Sequence, residues 1–207
     1  MRISTRYEFV YISTPKAGTH TIYNVLAEHF AEGLRGQGCH ENQIPKEFKD
    51  YFRWTVSRNP YTRAVSLWWS ACRLHTEDHY RFRARCGAPD NFTKFIVWLA
   101  GTSWEERTEE PLMQSQTQWL QPAEPVTALQ IEHLGEELSE LSFWKPRIVL
   151  PCLNTTGDKI LSMEPVEGQP IPHPPWRTLY QDRTARRALW AWAGEDFVRF
   201  GYSKELK

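Results

Sequence analysis

The first part of the chain repeats one pattern, in which a short apolar run is followed by a loop and then by residues at helical spacing. The runs Phe9–Ser13 and Phe52–Ser57 each predict a buried strand. Apolar side chains at helical intervals predict helices over 19–30 and 60–74. Strands that alternate with helices predict an α/β fold with a parallel sheet.

The rest of the chain continues this alternation. The expected strands are 126–131 and 147–152, and the expected helices are 91–100, 133–141 and 179–200. Two polar segments are interpreted as a surface excursion (75–90) and a loop (102–111). Without an internal repeat or a low-complexity tail, the sequence predicts one domain over 1–207.

The charge balance excludes a globally basic protein. Lys plus Arg and Asp plus Glu each number 25, so no net field draws the chain to nucleic acid or to an anionic membrane. Nucleic acid is therefore not an expected partner, and any anion site must be built locally. No apolar run approaches the roughly 20 residues that span a bilayer, so no membrane span is expected.

The four cysteines show no zinc spacing. The polar stretch Met1–Glu8 does not resemble a signal peptide, so a cytoplasmic protein with reduced thiols is expected. Cys72 and Cys86 are the two that could pair in an oxidising compartment.

The loop Ser13–Thr21 joins the first strand to the first helix and has the design of a phosphate-binding loop. Gly18 permits a tight turn and a close backbone approach. The amides at the helix start and the helix dipole favour an anion there. Thr19 and Thr21 add hydroxyl groups, and Lys16 adds a positive charge.

This loop differs from the nucleoside-triphosphate pattern G-x-x-x-x-G-K-[ST]. Its lysine precedes the glycine, and the first glycine is missing. ATP-dependent phosphoryl transfer is therefore disfavoured, and a plain strand-to-helix turn remains the alternative.

A second motif, Thr55–Ser66, covers the end of the second strand and the start of the next helix. Arg58 leaves the strand at the edge where open α/β sheets bind ligands. Ser66 follows about two helical turns later, and an arginine fork with a hydroxyl can hold a dianionic phosphate. Arg63 shares a helix face with Ser66, but a structural salt bridge is the favoured interpretation for it.

These two motifs, in this order, resemble those of sulfotransferases that use 3′-phosphoadenosine 5′-phosphosulfate (PAPS), particularly the carbohydrate (Golgi-type) branch. The family has P-K-x-G-T-[ST], matched by Pro15–His20, and R-[ND]-P-x-x-R-x-x-S, matched by Arg58–Ser66. The resemblance spans nearly the whole chain, because segments 118–120, 131–134, 153–156 and 196–202 also look like the family. His20 departs from the family, which has Ser or Thr there.

The resemblance implies a P-loop-type three-layer α/β fold with a central, mostly parallel sheet flanked by helices. It also implies sulfuryl transfer from PAPS, with 3′-phosphoadenosine 5′-phosphate (PAP) as product and no metal. The residues expected to bind PAPS are Lys16, Ala17, Gly18, Thr19, His20, Thr21, Arg58 and Ser66. Lys16 and the loop amides are expected to stabilise charge on the leaving phosphate.

An alcohol acceptor also requires a base. The carbohydrate branch often places His or Glu upstream of the arginine motif, which corresponds here to Gly38–Glu41. His40 is the first candidate, since its unperturbed pKa near 6.5 suits a base at neutral pH. Glu41 is the second candidate and His20 the third, and an exposed loop histidine is the alternative for His40.

The acceptor is expected to be a saccharide hydroxyl, favoured by the family branch and weakly by the 10 tryptophans. The segment 154–159 is expected to help cover the adenine. The basic run 81–85 is interpreted as a solvated face, and a patch for an anionic acceptor is the alternative. Two other functions stay open, a PAPS-binding protein without catalysis and a P-loop nucleotide kinase. Oligomeric state is left open.

Overall fold

The computed structural model describes residues 1–36, 41–73, 80–87, 89–145, 148, 150 and 175–206. They form two compact units. The first unit comprises Met1–Asn59 and Gln116–Cys152, and the second comprises Pro60–Ser115 and Leu153–Lys207. The single domain over 1–207 stays a prediction.

The regular elements of the described residues are five strands and nine α-helices. The strands are β1 Arg2–Ser4, β2 Phe9–Ile12, β3 Leu34–Gly36, β4 Phe52–Ser57 and β5 Thr127–Gln130. The helices are α1 Thr19–His29, α2 Pro60–Trp68, α3 Tyr80–Cys86, α4 Phe92–Gly101, α5 Trp104–Glu109, α6 Gln116–Leu120, α7 Leu134–Ser139, α8 Trp176–Leu179 and α9 Arg183–Arg199. A π-helix, Trp69–Arg73, continues α2.

The sheet of the first unit is mixed, with the order β3-β1-β2-β4-β5. Strands β2, β4 and β5 are parallel, whereas β1 is antiparallel to both of its neighbours. The predicted α/β class is confirmed, and the parallel part of the sheet consists of three of the four strands that the sequence predicted. Strands β1 and β3 were not predicted, since three residues are too few to show a pattern.

The central strands of this sheet are buried on both faces, as is usual for parallel strands. On one face, alternate strand residues pack with α1 and α7, and the strand residues concerned are Phe9, Tyr11, Trp54, Val56 and Leu129. On the other face Val10, Ile12 and Thr55 are also fully buried. Burial of these apolar side chains is the main favourable term holding the strand ends in register.

The second unit is helical, with a core in which α9 packs against α4 and α2. Its centre holds Phe95, Leu99, Leu189, Trp192 and Phe197. The prediction of a loop over 102–111 is wrong, because α5 occupies most of this segment. Ser103 and Glu106 form a capping box there, a local signal that the polar composition obscured.

Two other expectations need correction in this unit. The segment predicted as a surface excursion contains α3, in which Phe82 and Cys86 are buried. The last helix, predicted from 179, begins at Arg183 because the Asp182 side chain accepts a hydrogen bond from the Thr184 amide. Of the strand predicted over 147–152, only Ile148 and Leu150 are described, and neither lies in a strand.

Candidate phosphate-binding site

Three loops of the first unit lie at one edge of the sheet. Because β2, β4 and β5 are parallel, the segments that follow them leave from the same carboxyl edge. Two of these segments lie close together, since a Cβ on Gly18 would lie 2.9 Å from Cδ1 of Ile131. This edge is the place where the sequence predicted the site.

The loop after β2 begins with a tight turn. The Ala17 amide donates to the Thr14 carbonyl oxygen at 3.2 Å, with Pro15 in the second position. Lys16, in the third position, has φ 68°, and this combination has the features of a type II turn. A left-handed lysine costs about 1 kcal/mol, and strain of this kind is often found at functional sites.

Gly18 ends the loop as the N-cap of α1, with φ 79°. It provides no side-chain cap, and the first turn of α1 has no acidic residue. The positive end of the helix dipole is therefore not neutralised by a carboxylate within that turn. The helix dipole and the first amides of α1 therefore favour an anion here.

Replacing Gly18 by alanine should destabilise the protein by about 1 to 2 kcal/mol, because alanine disfavours the left-handed region. The new Cβ would also press on Ile131. The measurement is urea unfolding followed by circular dichroism. The matched control is Gly135→Ala in α7, where a Cβ meets nothing within 4 Å, and it should raise stability by about 0.5 to 1 kcal/mol. Equal stabilities for the two variants would contradict the assigned loop conformation.

The Arg58 backbone is fixed at the end of β4 by side chains from elsewhere in the unit. Its amide donates to Oε1 of Gln116 at 2.8 Å, and Nε2 of Gln116 donates to its carbonyl oxygen at 2.8 Å. The next amide, that of Asn59, donates to Oε1 of Glu132 at 3.0 Å. Gln116 is fully buried and its two bonds to Arg58 are partly buried, whereas the bond from Asn59 to Glu132 is exposed.

The Arg58 side chain reaches the loop that follows β2. Its Nη1 donates to the Lys16 carbonyl oxygen at 3.3 Å. The structure therefore brings together the basic residues of the two sequence motifs. Both residues are partly exposed.

Buried hydroxyl groups hold the base of this loop. The hydroxyls of Thr14 and Thr55 are 2.8 Å apart, and Thr55 also donates to the Ile12 carbonyl oxygen at 2.6 Å. Nε1 of Trp119 donates to the Ser13 carbonyl oxygen at 3.1 Å. These bonds fix the carbonyl groups at the end of β2 and so preorganise the loop.

Tyr11 lies in β2, just before the loop, and is fully buried. Burial raises the pKa of its phenol far above the usual range, and the neighbouring Tyr23 raises it further. Its hydroxyl lies near the Thr19 side chain but forms no well-aligned hydrogen bond with any described residue. The phenol is therefore neutral at physiological pH and acts as a dipole beneath the loop.

The remaining predicted ligands differ in their placement. His20 is exposed at the second position of α1, and Thr21 is half-buried beside it. Thr19 donates its hydroxyl to the Thr14 carbonyl oxygen at 3.2 Å, so its predicted bond to a ligand stays a prediction. Ser66 is half-buried on α2 of the second unit, and its share in the site also stays a prediction.

Arg63 is fully buried in the second unit. Its Nη2 donates to the Gln114 carbonyl oxygen at 3.0 Å, and its guanidinium lies 5.2 Å from the Trp192 ring centre. These contacts hold Arg63 in the core of the second unit, and the salt bridge that the sequence favoured stays a prediction. The basic run 81–85 contributes one exposed ion pair, between Arg85 and Glu109.

The candidate bases lie before β4. Glu41 is exposed, whereas His40 lies outside the described residues. Nδ2 of Asn42 donates a hydrogen bond to the Trp119 carbonyl oxygen at 2.7 Å. Nε1 of the same Trp119 donates to the Ser13 carbonyl oxygen. This chain of two hydrogen bonds ties the segment carrying Glu41 to the end of β2. The predicted adenine segment, 154–159, also lies outside the described residues.

Sequence analysis missed Gln116, Glu132 and Asn42. Each acts through one side chain hydrogen-bonded to a distant backbone group, and such a contact leaves no periodic signal.

Within the described part of the chain, no three His, Cys, Asp or Glu side chains could together hold a metal ion. Among the same residues, no helix is long and apolar enough to cross a membrane. No family model, curated protein or solved structure matches the chain.

Proposed function

We propose that this protein is a PAPS-dependent sulfotransferase with a P-loop-type fold. One observation carries the proposal, the hydrogen bond from the Arg58 guanidinium to the Lys16 carbonyl group at the carboxyl edge of the sheet. It joins the two motifs whose order and spacing resemble the family. The acceptor that we propose is a saccharide hydroxyl, on the sequence resemblance.

The residues at this edge fit a phosphorylated nucleotide. The donors are the Lys16 ammonium, the Arg58 guanidinium, the Thr21 hydroxyl and the first amides of α1. Gly18, with φ 79°, begins the helix whose first amides and dipole favour an anion. A dianionic 5′-phosphosulfate is matched by this donor set, and Arg58 suits the 3′-phosphate because a guanidinium binds phosphate through two parallel bonds.

The proposed reaction is an in-line displacement at sulfur. The acceptor oxygen forms a bond to sulfur while the bond from sulfur to the 5′-phosphate oxygen breaks, and PAP leaves. Lys16 and the α1 amides stabilise the charge that grows on that oxygen. The base takes the proton of the acceptor hydroxyl, so charge and atoms balance without a metal ion.

The base is sought among the candidates from the sequence, of which Glu41 precedes the anchored Asn42. We expect His40→Ala to lower turnover about 100-fold or more, with little change in PAP affinity. Glu41→Gln and His20→Ala are the matched variants and should lower turnover less than 10-fold. Turnover and PAP binding are measured for all three. A large loss in Glu41→Gln alone would move the base to Glu41. PAP binding without turnover in any of the proteins, the unmutated one included, would favour the binding protein without catalysis.

Transfer of radiolabelled sulfate from PAPS tests the function itself. The protein is incubated with labelled PAPS and a panel of saccharide, phenol and lipid alcohols, and labelled product is separated by chromatography. Saccharide labelling that disappears in Lys16→Ala supports the proposal. Phosphoryl transfer from labelled ATP in the parallel assay would instead support the nucleotide kinase.

A further inference from the structure

Two thiols of the second unit face each other inside its core. Cys72 lies in the π-helix that continues α2, and Cys86 is the last residue of α3. Their sulfur atoms are 3.6 Å apart, which is contact distance without a covalent bond. The Cys86 thiol also donates to the Arg83 carbonyl oxygen at 3.3 Å.

This geometry is close to that of a disulfide, in which the sulfurs are about 2 Å apart. The sulfurs already lie between two helical elements that contact each other. Rotation about the Cα–Cβ bond of each cysteine moves its sulfur. Small rotations can therefore reduce the distance between the two sulfur atoms from 3.6 Å to bonding distance. Both side chains belong to one apolar cluster with Phe82 and Phe95, and the pair is therefore well packed.

We propose that Cys72 and Cys86 are a redox modification site and form a disulfide with a small-molecule disulfide oxidant such as oxidised glutathione. This proposal is independent of the sulfotransferase function. Cys86, at 9% exposure against 3% for Cys72, is the thiol that the oxidant reaches first.

The chemistry proceeds by two exchanges. The Cys86 thiolate attacks one sulfur of oxidised glutathione, forms a mixed disulfide and releases one reduced glutathione. The Cys72 thiolate then attacks the Cys86 sulfur and releases the second. The protein loses two protons and two electrons, and the oxidant gains both.

The disulfide would join α3 to the π-helix and close a ring over 72–86. Closure of a ring of this size restricts the unfolded chain, and we expect the melting temperature to rise by about 5 to 10 °C. Reduction by dithiothreitol should reverse the change.

The test oxidises the full chain with oxidised glutathione and maps tryptic peptides by mass spectrometry without reduction. The expected product joins peptide 64–73, which carries Cys72, to peptide 86–94, which carries Cys86. The Cys39→Ser/Cys152→Ser variant should give the same joined peptide and the same melting shift. The Cys72→Ser/Cys86→Ser variant should show neither.

Two results would overturn the proposal. One is glutathione attached separately to Cys72 and Cys86 without a joined peptide. The other is a disulfide that involves Cys39 or Cys152 in place of this pair.

Discussion

Replacing Lys16 by glycine should give a protein that is more stable than the natural one and almost inactive. Lys16 holds φ 68°, a conformation that glycine adopts freely and lysine does not. Relief of this strain should raise the free energy of unfolding by about 1 kcal/mol. At the same time the variant lacks the ammonium group that stabilises the leaving phosphate in the proposed reaction.

The loss of activity should be about 100- to 1,000-fold in turnover, the size typical when one donor to a developing oxyanion is removed. Affinity for PAP should fall less, because the amides of α1 and the Arg58 guanidinium remain. Higher stability together with lower activity would show that the protein keeps a strained backbone at Lys16 because the lysine side chain is needed for activity.

Lys16→Ala is the matched control, since alanine removes the ammonium but keeps the disfavoured φ. It should lose as much activity as Lys16→Gly and show no gain in stability. Urea midpoints and initial rates of sulfate transfer are compared for the three proteins. Normal turnover in Lys16→Gly would contradict the role of the ammonium, and a loss of stability in Lys16→Gly would contradict the turn.

Replacing Arg58 by alanine should weaken PAP binding about 100-fold, because a charge-assisted pair with phosphate is lost. The hydrogen bond to the Lys16 carbonyl oxygen is also lost, so the loop is held less firmly. Arg58→Lys keeps the charge but not the fork, and it should recover only part of the affinity. Calorimetric titration with PAP measures the three affinities.

Arg53→Ala provides the control for this experiment. Arg53 is in β4 like the residues that lead to Arg58, but near the opposite end of the strand, where Nη1 donates to the carbonyl oxygens of Ala123 and Glu124. Its loss can lower stability and should leave PAP affinity unchanged. An equal loss of affinity in Arg53→Ala and Arg58→Ala would show that the effect comes from the fold and not from the site.

The parallel part of the fold was predictable because its strands have clear sequence patterns. The run at Phe9 is apolar throughout, and the run at Phe52 alternates apolar with polar residues, so both were visible as strands. Strands β1 and β3 have three residues each and no such run. The residues of the α5 capping box, Ser103 and Glu106, stand in the sequence. The polar composition of the segment nevertheless led to the prediction of a loop.

The meeting of Lys16 and Arg58 was predictable for a different reason. Each follows a strand of the parallel sheet, and parallel strands bring the loops at their carboxyl ends to one edge. The side chains that fix the backbone at Arg58 and Asn59 were not predictable. Gln116 and Glu132 lie far along the chain and accept hydrogen bonds from these backbone amides. Such a contact depends on tertiary packing, which no local spacing encodes.

The 3′-phosphate of PAP distinguishes the proposed site from an ordinary nucleotide site. Calorimetric titration of the wild-type protein with PAP, adenosine 5′-monophosphate and ATP tests this most directly. The account predicts PAP binding at least 10-fold tighter than either control, because only PAP places a dianion on Arg58. Equal affinity for PAP and ATP would contradict the sulfotransferase site and favour the kinase.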